Sequence, residues 1–519
     1  MSSSRIAKNT AALFARQLVV VAINLYTVRV LLDVLGVEDF ALYNVVLNVA
    51  LLASFLTAAL TMIVQRYFSF AIGETDVPGA EKGPETLNRV HDTSLIFCAL
   101  AIALAVIGLE IAGTWFISNH LVVAETRQSA VGILFQLLIV YFVANTLVSF
   151  YSAIVLAKED MHVFAIVSVT NAVLRLVAAA SASVLGPDRL ITYGALFCAT
   201  AFLTFALYYV WCVRKYQECR PRALKLDMAT LKDMFSFSGW TIFGQLTTVC
   251  RSQAVTILIN QSFNPATVAA RALAVSVAAQ VLTFSNNFTM ALHPPIIKAH
   301  AAAQKERLFE LIFTGSKITF FLVWMATLPL VALMPGILSI WLGDFPEDTV
   351  VFTRLALIEN AIMAISFPLM TTVRATGRVR NYELALGSLQ VLVLVLSYAA
   401  IKLGYSAVSV YVVAIVVNLI MFAVRLIIVR GLTQLSIRSY AKIVLVPVVL
   451  VVGTTSVMTA AILKLAAGYT HSSVVSIIVV LAILVLPLVV IVALGLSSAD
   501  RQALSGVIQR KFFNRKVAQ

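Results

Sequence analysis

The sequence predicts an all-α polytopic membrane protein of about fourteen transmembrane helices, on three observations. Of 519 residues, 61% are hydrophobic and only 12% are charged, with a mean hydropathy of +0.96. Soluble domains carry about 25% charged residues, so this composition cannot build a water-soluble surface. Apolar runs of about 18 residues or more, each able to cross roughly 30 Å of hydrocarbon, recur from end to end. No long polar stretch interrupts them.

The basic start "MSSSRIAKNTAALFARQ" leads into the first run, 10–32. It has no short apolar region ending at a small-residue cleavage site, so an uncleaved first span is expected. The acidic connection "LDVLGVEDF" leads to the second run, 41–64, and runs at 92–117, 130–156, 163–185 and 190–213 complete six. Six more lie at 236–261, 266–291, 312–334, 350–373, 382–402 and 406–429, and two last ones at 441–463 and 473–495.

Lysine and arginine in the connections set the orientation. The linker "VRKYQECRPRALKLDMATLKD" holds six of them, whereas "LDVLGVEDF" and "LGDFPEDTV" are acidic or nearly uncharged. The N-terminus is therefore expected inside, and an even number of spans brings the basic tail "RKFFNRK" back to the same side. The net charge of +14 is then mostly topology, and nucleic acid is not an expected partner. In the tail, Leu504, Val507, Ile508 and Phe512 recur at helical spacing beside Arg510, Lys511 and Arg515, the pattern of an interfacial helix on anionic membrane lipid or of a frayed basic terminus.

The chain also resembles itself. An offset of 218 places Ala157 on Ala375, Gly186 on Gly404 and Tyr193 on Tyr411. An offset of 228 places Gln17 and Leu18 on Gln245 and Leu246. The expected organisation is two pseudo-symmetric six-helix lobes around a central cavity, plus two C-terminal helices. Its parts are an N-terminal lobe (1–213), a basic cytoplasmic linker (214–235), a C-terminal lobe (236–430), the last two spans (431–496) and a basic cytoplasmic tail (497–519). Six spans per lobe is even, so the lobes form a parallel repeat of the kind that builds transporters.

Several classes of chemistry leave no signature. There is no nucleotide-binding G-x-x-x-x-G-K-[ST] loop, no H-E-x-x-H or G-x-S-x-G in a place that confers chemistry, and no large outer connection to mount catalytic carboxylates. An enzyme is not expected, nor any cofactor or metal. The five cysteines form no C-x-x-C pair and read as small core residues.

Polar residues inside the spans are the candidate site. A charge near the bilayer centre costs roughly 2.5–3.5 kcal/mol on insertion scales, so it needs a partner or a wet cavity. Arg16, Arg175 and Arg251 read as deep; Arg29 and Arg271 lie toward outer ends and Arg425 toward the inner end, where snorkelling suffices. Glu359 is the one deep acid, a candidate to pair with an arginine or to couple transport to an ion. The cationic surplus suits an anionic substrate, because arginine forks match phosphate oxygens. Thr10, Gln17 and Asn24 share one helical face, Gln245 and Ser252 repeat it, and Asn44, Asn48, Gln280 and Asn287 add further polar groups. Such amides suit sugar hydroxyls, and they equally suit hydrogen bonds between helices. His293, before Pro294–Pro295, reads as a helix end; Pro329, Pro368, Pro447 and Pro487 mark potential bends.

The stretches "RIAKNTAALFARQ", "YTVRVLLDVLGVEDFALYNVV" and "QRYFSFAIGE" resemble the N-terminal signature of bacterial polysaccharide transporters. These are O-antigen-type flippases of the multidrug/oligosaccharidyl-lipid/polysaccharide exporter superfamily. "FSFSGWTIFGQL", "ARALAVSVAAQV", "NNFTMALHPPIIKAHAA", "TRLALIENAI" and "PLMTTVRATGRVRNYEL" extend the likeness over about residues 5–440. The resemblance implies a flippase that moves an undecaprenyl-diphosphate-linked oligosaccharide from the cytoplasmic to the periplasmic leaflet of the inner membrane, for surface polysaccharide such as lipopolysaccharide or exopolysaccharide. A polymerase and glycosyltransferases would be its partners. It also implies a central cavity flanked by helices one, two, seven and eight, which here carry Arg16, Arg29, Arg251 and Arg271. Two rivals stand beside it: a cation-coupled multidrug antiporter of the same superfamily, and a non-transporting scaffold of a polysaccharide-synthesis complex.

Overall fold

The computed structural model describes residues 3–51, 54–75, 84–119, 125–342, 344–466 and 473–497; the basic tail and its interfacial pattern lie outside them. Thirteen of the described helices are long and apolar enough to cross a membrane, and a bent pair makes a fourteenth crossing. There is no strand among the described residues. The chain divides into two compact units, Asn9–Ile242 and Phe243–Gln519, the latter together with Met1–Lys8.

In the first unit the helices are α1 (Ser3–Leu51), α2 (Ser54–Thr75), α3 (Pro84–Gly108), α4 (Thr114–Asn119), α5 (Glu125–Ala157), α6 (Met161–Ser181) and α7 (Arg189–Lys215). α1 is broken at Gly36, whose φ of 74° only glycine adopts without strain. The second crossing runs over Leu56–Glu74, ten residues beyond the expected end at 64. The apolar pattern stops there because Gln65 and Arg66 follow. Both are nevertheless buried, and the Arg66 guanidinium lies over the rings of Tyr67 and Phe237 at 4.7 and 4.6 Å. Cation–π contact thus keeps a charge inside the fold where hydropathy alone ends the helix.

Polar ties fix the ends of these helices. Asp188 caps α7 by accepting from the amides of Leu190 and Ile191, and Arg127 bridges Asp188 and Asp39 at 2.5 and 2.6 Å. Arg214 and Lys215 close the last turn of α7, where cations oppose the helix dipole. Beyond it Asp160 accepts from Lys215 at 2.6 Å and from the Tyr216 hydroxyl. Burial alone would raise the Asp160 carboxyl, but these two bonds outweigh it and hold the group below its ordinary value. Arg222 anchors the basic linker by donating to Asn88 and Asp92.

α8 (Met228–Ser262) runs through the division between the units. The second unit continues with α9 (Pro265–Ala301), α10 (Lys305–Leu342), α11 (Thr349–Ala364), α12 (Phe367–Thr376), α13 (Arg380–Lys402), α14 (Val408–Thr433), α15 (Ile437–Tyr440), α16 (Val446–Ala466) and α17 (Ser473–Val490). Asn264 caps α9, with Pro265 in its first turn. The helix end expected at His293 does not occur, since α9 continues through Pro294 and Pro295 to Ala301. Pro368 does act as a breaker: α11 and α12 meet there at 41°. Its ring clashes with the carbonyl four residues back, at Ala364, where α11 ends. Pro447 lies two residues past a π-turn at Ala441–Leu445, a common relief for a disturbed hydrogen-bond ladder. α16 and α17 pack on α10, where the buried Trp324 indole donates to Thr455 Oγ1 at 3.0 Å.

Candidate functional site

In the second unit four helices bring polar side chains together inside the membrane-spanning region. α8 supplies Arg251 and Ser252, α9 supplies Arg271, α11 supplies Glu359, and α14 supplies Tyr411 and Asn418. Arg251 Nη1 and Nη2 stand 3.3 and 3.4 Å from Glu359 Oε1, which also accepts from Asn418 Nδ2 at 2.8 Å. Arg271 donates from Nε to Thr256 Oγ1 at 3.3 Å, and its guanidinium lies 5.7 Å over the Tyr411 ring. A small cavity of about 30 Å³ lies between Arg251, Arg271, Glu359 and Tyr411. Two cations thus border one carboxylate in a low-dielectric setting, where an oxyanion with several acceptor oxygens is the complementary ligand.

The first unit holds its arginines differently. Arg175 on α6 donates to the Tyr141 hydroxyl at 2.6 Å and lies 5.0 Å over the Phe197 ring. Tyr43 packs edge-on against Tyr193 at 5.1 Å, beside Phe197. Arg16 donates to its neighbour Gln17 at 2.9 Å and lies 5.0 Å over Phe164. The offsets found in the sequence relate the two clusters position by position. Tyr141, Arg175 and Tyr193 fall on Glu359, Val393 and Tyr411, and Tyr43 falls on Arg271. Glu159 and Gly377, also 218 apart, both have a left-handed backbone, with φ of 63° and 75°. The same interior position therefore carries an aromatic arginine cage in one unit and a charged pair in the other.

Not every expected site residue joins a cluster. Arg251, Arg271 and Glu359 come together, as do Arg16 and Gln17, while Arg29 and Asn24 are exposed and Gln245 is half-buried. The Asn48 side chain lies outside the described residues, as does that of Asn44. Arg271 and Arg425 do not snorkel: they are 9% and 3% exposed, and Arg425 Nε donates to the Tyr382 hydroxyl at 3.2 Å. Each has a hydroxyl-bearing partner from the interior, so a polar head has no need of the interface. Hydropathy misses Tyr411 and Asn418, but the match of Tyr193 to Tyr411 in the repeat already marks the position.

The profile of a family described as polysaccharide biosynthesis protein matches residues 6–300. The chain belongs to that family. No curated protein sequence matches it. Among solved structures, a MATE transporter in a straight conformation superposes with a TM-score of 0.69 at 14% identity, covering 83% of this chain and 96% of that one. An outward-facing multidrug resistance MATE transporter of the MOP superfamily gives 0.69 at 13% identity, over 83% and 95%. A MOP-superfamily transporter from Pyrococcus furiosus, described as having a binding pocket of reverse polarity, gives 0.68 at 13%, again over 83% and 95%. At these identities the likeness is one of fold. The family member described here is thus a multi-pass membrane protein with the fold of MATE transporters.

Proposed function

We infer that this protein moves an undecaprenyl-diphosphate-linked oligosaccharide from the cytoplasmic to the periplasmic leaflet of a bacterial inner membrane, with both termini in the cytoplasm. Family membership supports a role in polysaccharide synthesis, and the transporter fold supports movement across the bilayer. The observation that carries the substrate is the charge of the interior. Arg251 and Arg271 line one cavity with a single carboxylate, and Arg175 is held by aromatic rings and a phenol rather than by an acid. An interior with surplus guanidinium groups favours a diphosphate over the cationic or neutral amphiphile of a drug exporter. The tyrosines and amides around these arginines suit sugar hydroxyls.

The reading is tested in a strain lacking the chain. Surface polysaccharide should disappear, the lipid-linked oligosaccharide should accumulate in its unpolymerised form, and drug susceptibility should be unchanged. Altered drug efflux with normal surface polysaccharide would instead establish the antiporter reading.

A further inference from the structure

Glu359 holds Arg251 loosely. One carboxylate oxygen meets both guanidinium nitrogens at 3.3 and 3.4 Å, whereas charge-assisted pairs settle near about 2.7–2.9 Å and an arginine fork prefers two oxygens. Arg251 Nε is buried without a hydrogen-bond partner. The same Glu359 oxygen takes its shorter bond, 2.8 Å, from Asn418. The cavity of about 30 Å³ beside the pair has room for roughly one water, so a phosphate group does not fit while the pair is closed.

We propose that Glu359 stands in for the substrate's phosphate, occupying Arg251 until a diphosphate displaces it, and thereby restricts the site to ligands that engage Arg251 and Arg271 together. The proposal rests on the diphosphate reading given above. Separating the pair uncovers Arg251 while Asn418 continues to donate to Glu359, so the released carboxylate keeps a hydrogen bond inside the fold. A diphosphate then offers one phosphoryl group to each guanidinium. A monophosphate ester offers one group in all, so it must open the same pair for half the return. The work of opening is common to both ligands: it sets the affinity a ligand must supply, and the second phosphoryl group is what lets the diphosphate supply it.

The test measures binding of farnesyl diphosphate and farnesyl monophosphate to the purified full chain in lipid nanodiscs. Wild type should prefer the diphosphate. Glu359→Gln removes the competing charge, a cost common to both ligands, and should tighten both by a similar factor, about tenfold, with the preference for the diphosphate retained. Glu359→Asp keeps the charge but shortens the reach to Arg251, and should tighten binding to a smaller extent. If wild type binds neither ligand, the diphosphate reading itself fails. If wild type binds the diphosphate and both variants bind it equally or more weakly, the reading stands and the stand-in role is wrong. If neither variant folds, the pair is a structural requirement rather than a displaceable lock, and the proposal falls.

Discussion

At the scale of single residues, burial separates arginines that the sequence grades alike. Hydropathy places Arg425 near a helix end, where its stem could reach the interface, yet it is 3% exposed and bonded to Tyr382. Arg425→Ala should therefore act through folding. Removing a buried, hydrogen-bonded cation leaves its partner unsatisfied, at a cost of about 1–3 kcal/mol. Thermal unfolding in detergent should show a lowered midpoint and less protein in the membrane. Normal stability with impaired transport would make Arg425 a ligand instead. The deep arginine at 251 was legible from the sequence because it sits in the middle of a mostly apolar run long enough to span the bilayer. Its partner was legible only as the one deep acid, a candidate for pairing or for ion coupling, since nothing in a linear pattern brings α11 against α8.

At the scale of elements, the buried hydrogen bond from Trp324 to Thr455 ties α16 to α10. Thr455→Val keeps the shape and leaves the indole N–H without an acceptor, at a cost of about 1–3 kcal/mol. The expected result is a lower thermal midpoint, with easier proteolysis in the region of α16. An unchanged midpoint would mean that apolar packing alone fixes these helices. The existence of most spans was readable from hydropathy; their ends were not. Arg66 sits beyond the expected end of the second run but is sheltered by Tyr67 and Phe237, and α9 passes through Pro294 and Pro295. In both cases tertiary contacts decide what local sequence leaves open. Pro368 is the converse, a local signal that the fold obeys.

At the scale of the whole molecule, the charge bias of the connections predicts the basic linker inside and the segment between α10 and α11 outside. A cysteine introduced at Asp348 should react with a membrane-impermeant maleimide added to intact spheroplasts, and one introduced at Arg220 should not; the reverse pattern would invert the topology. The internal repeat pointed to more of the candidate site than any motif, because it aligned Tyr193 with Tyr411 and so both interior clusters. The central claim is that interior guanidinium groups recognise the anionic head of a lipid-linked sugar. Its most direct test is the rate at which proteoliposomes bearing wild type, Arg251→Lys or Arg251→Gln bring a polyprenyl-diphosphate oligosaccharide to the opposite leaflet. An ammonium keeps the charge and loses the planar fork, and an amide loses both, so the rates should fall in the order Arg, Lys, Gln. Equal rates for Arg251→Gln and wild type, at equal protein in the membrane, would contradict the account.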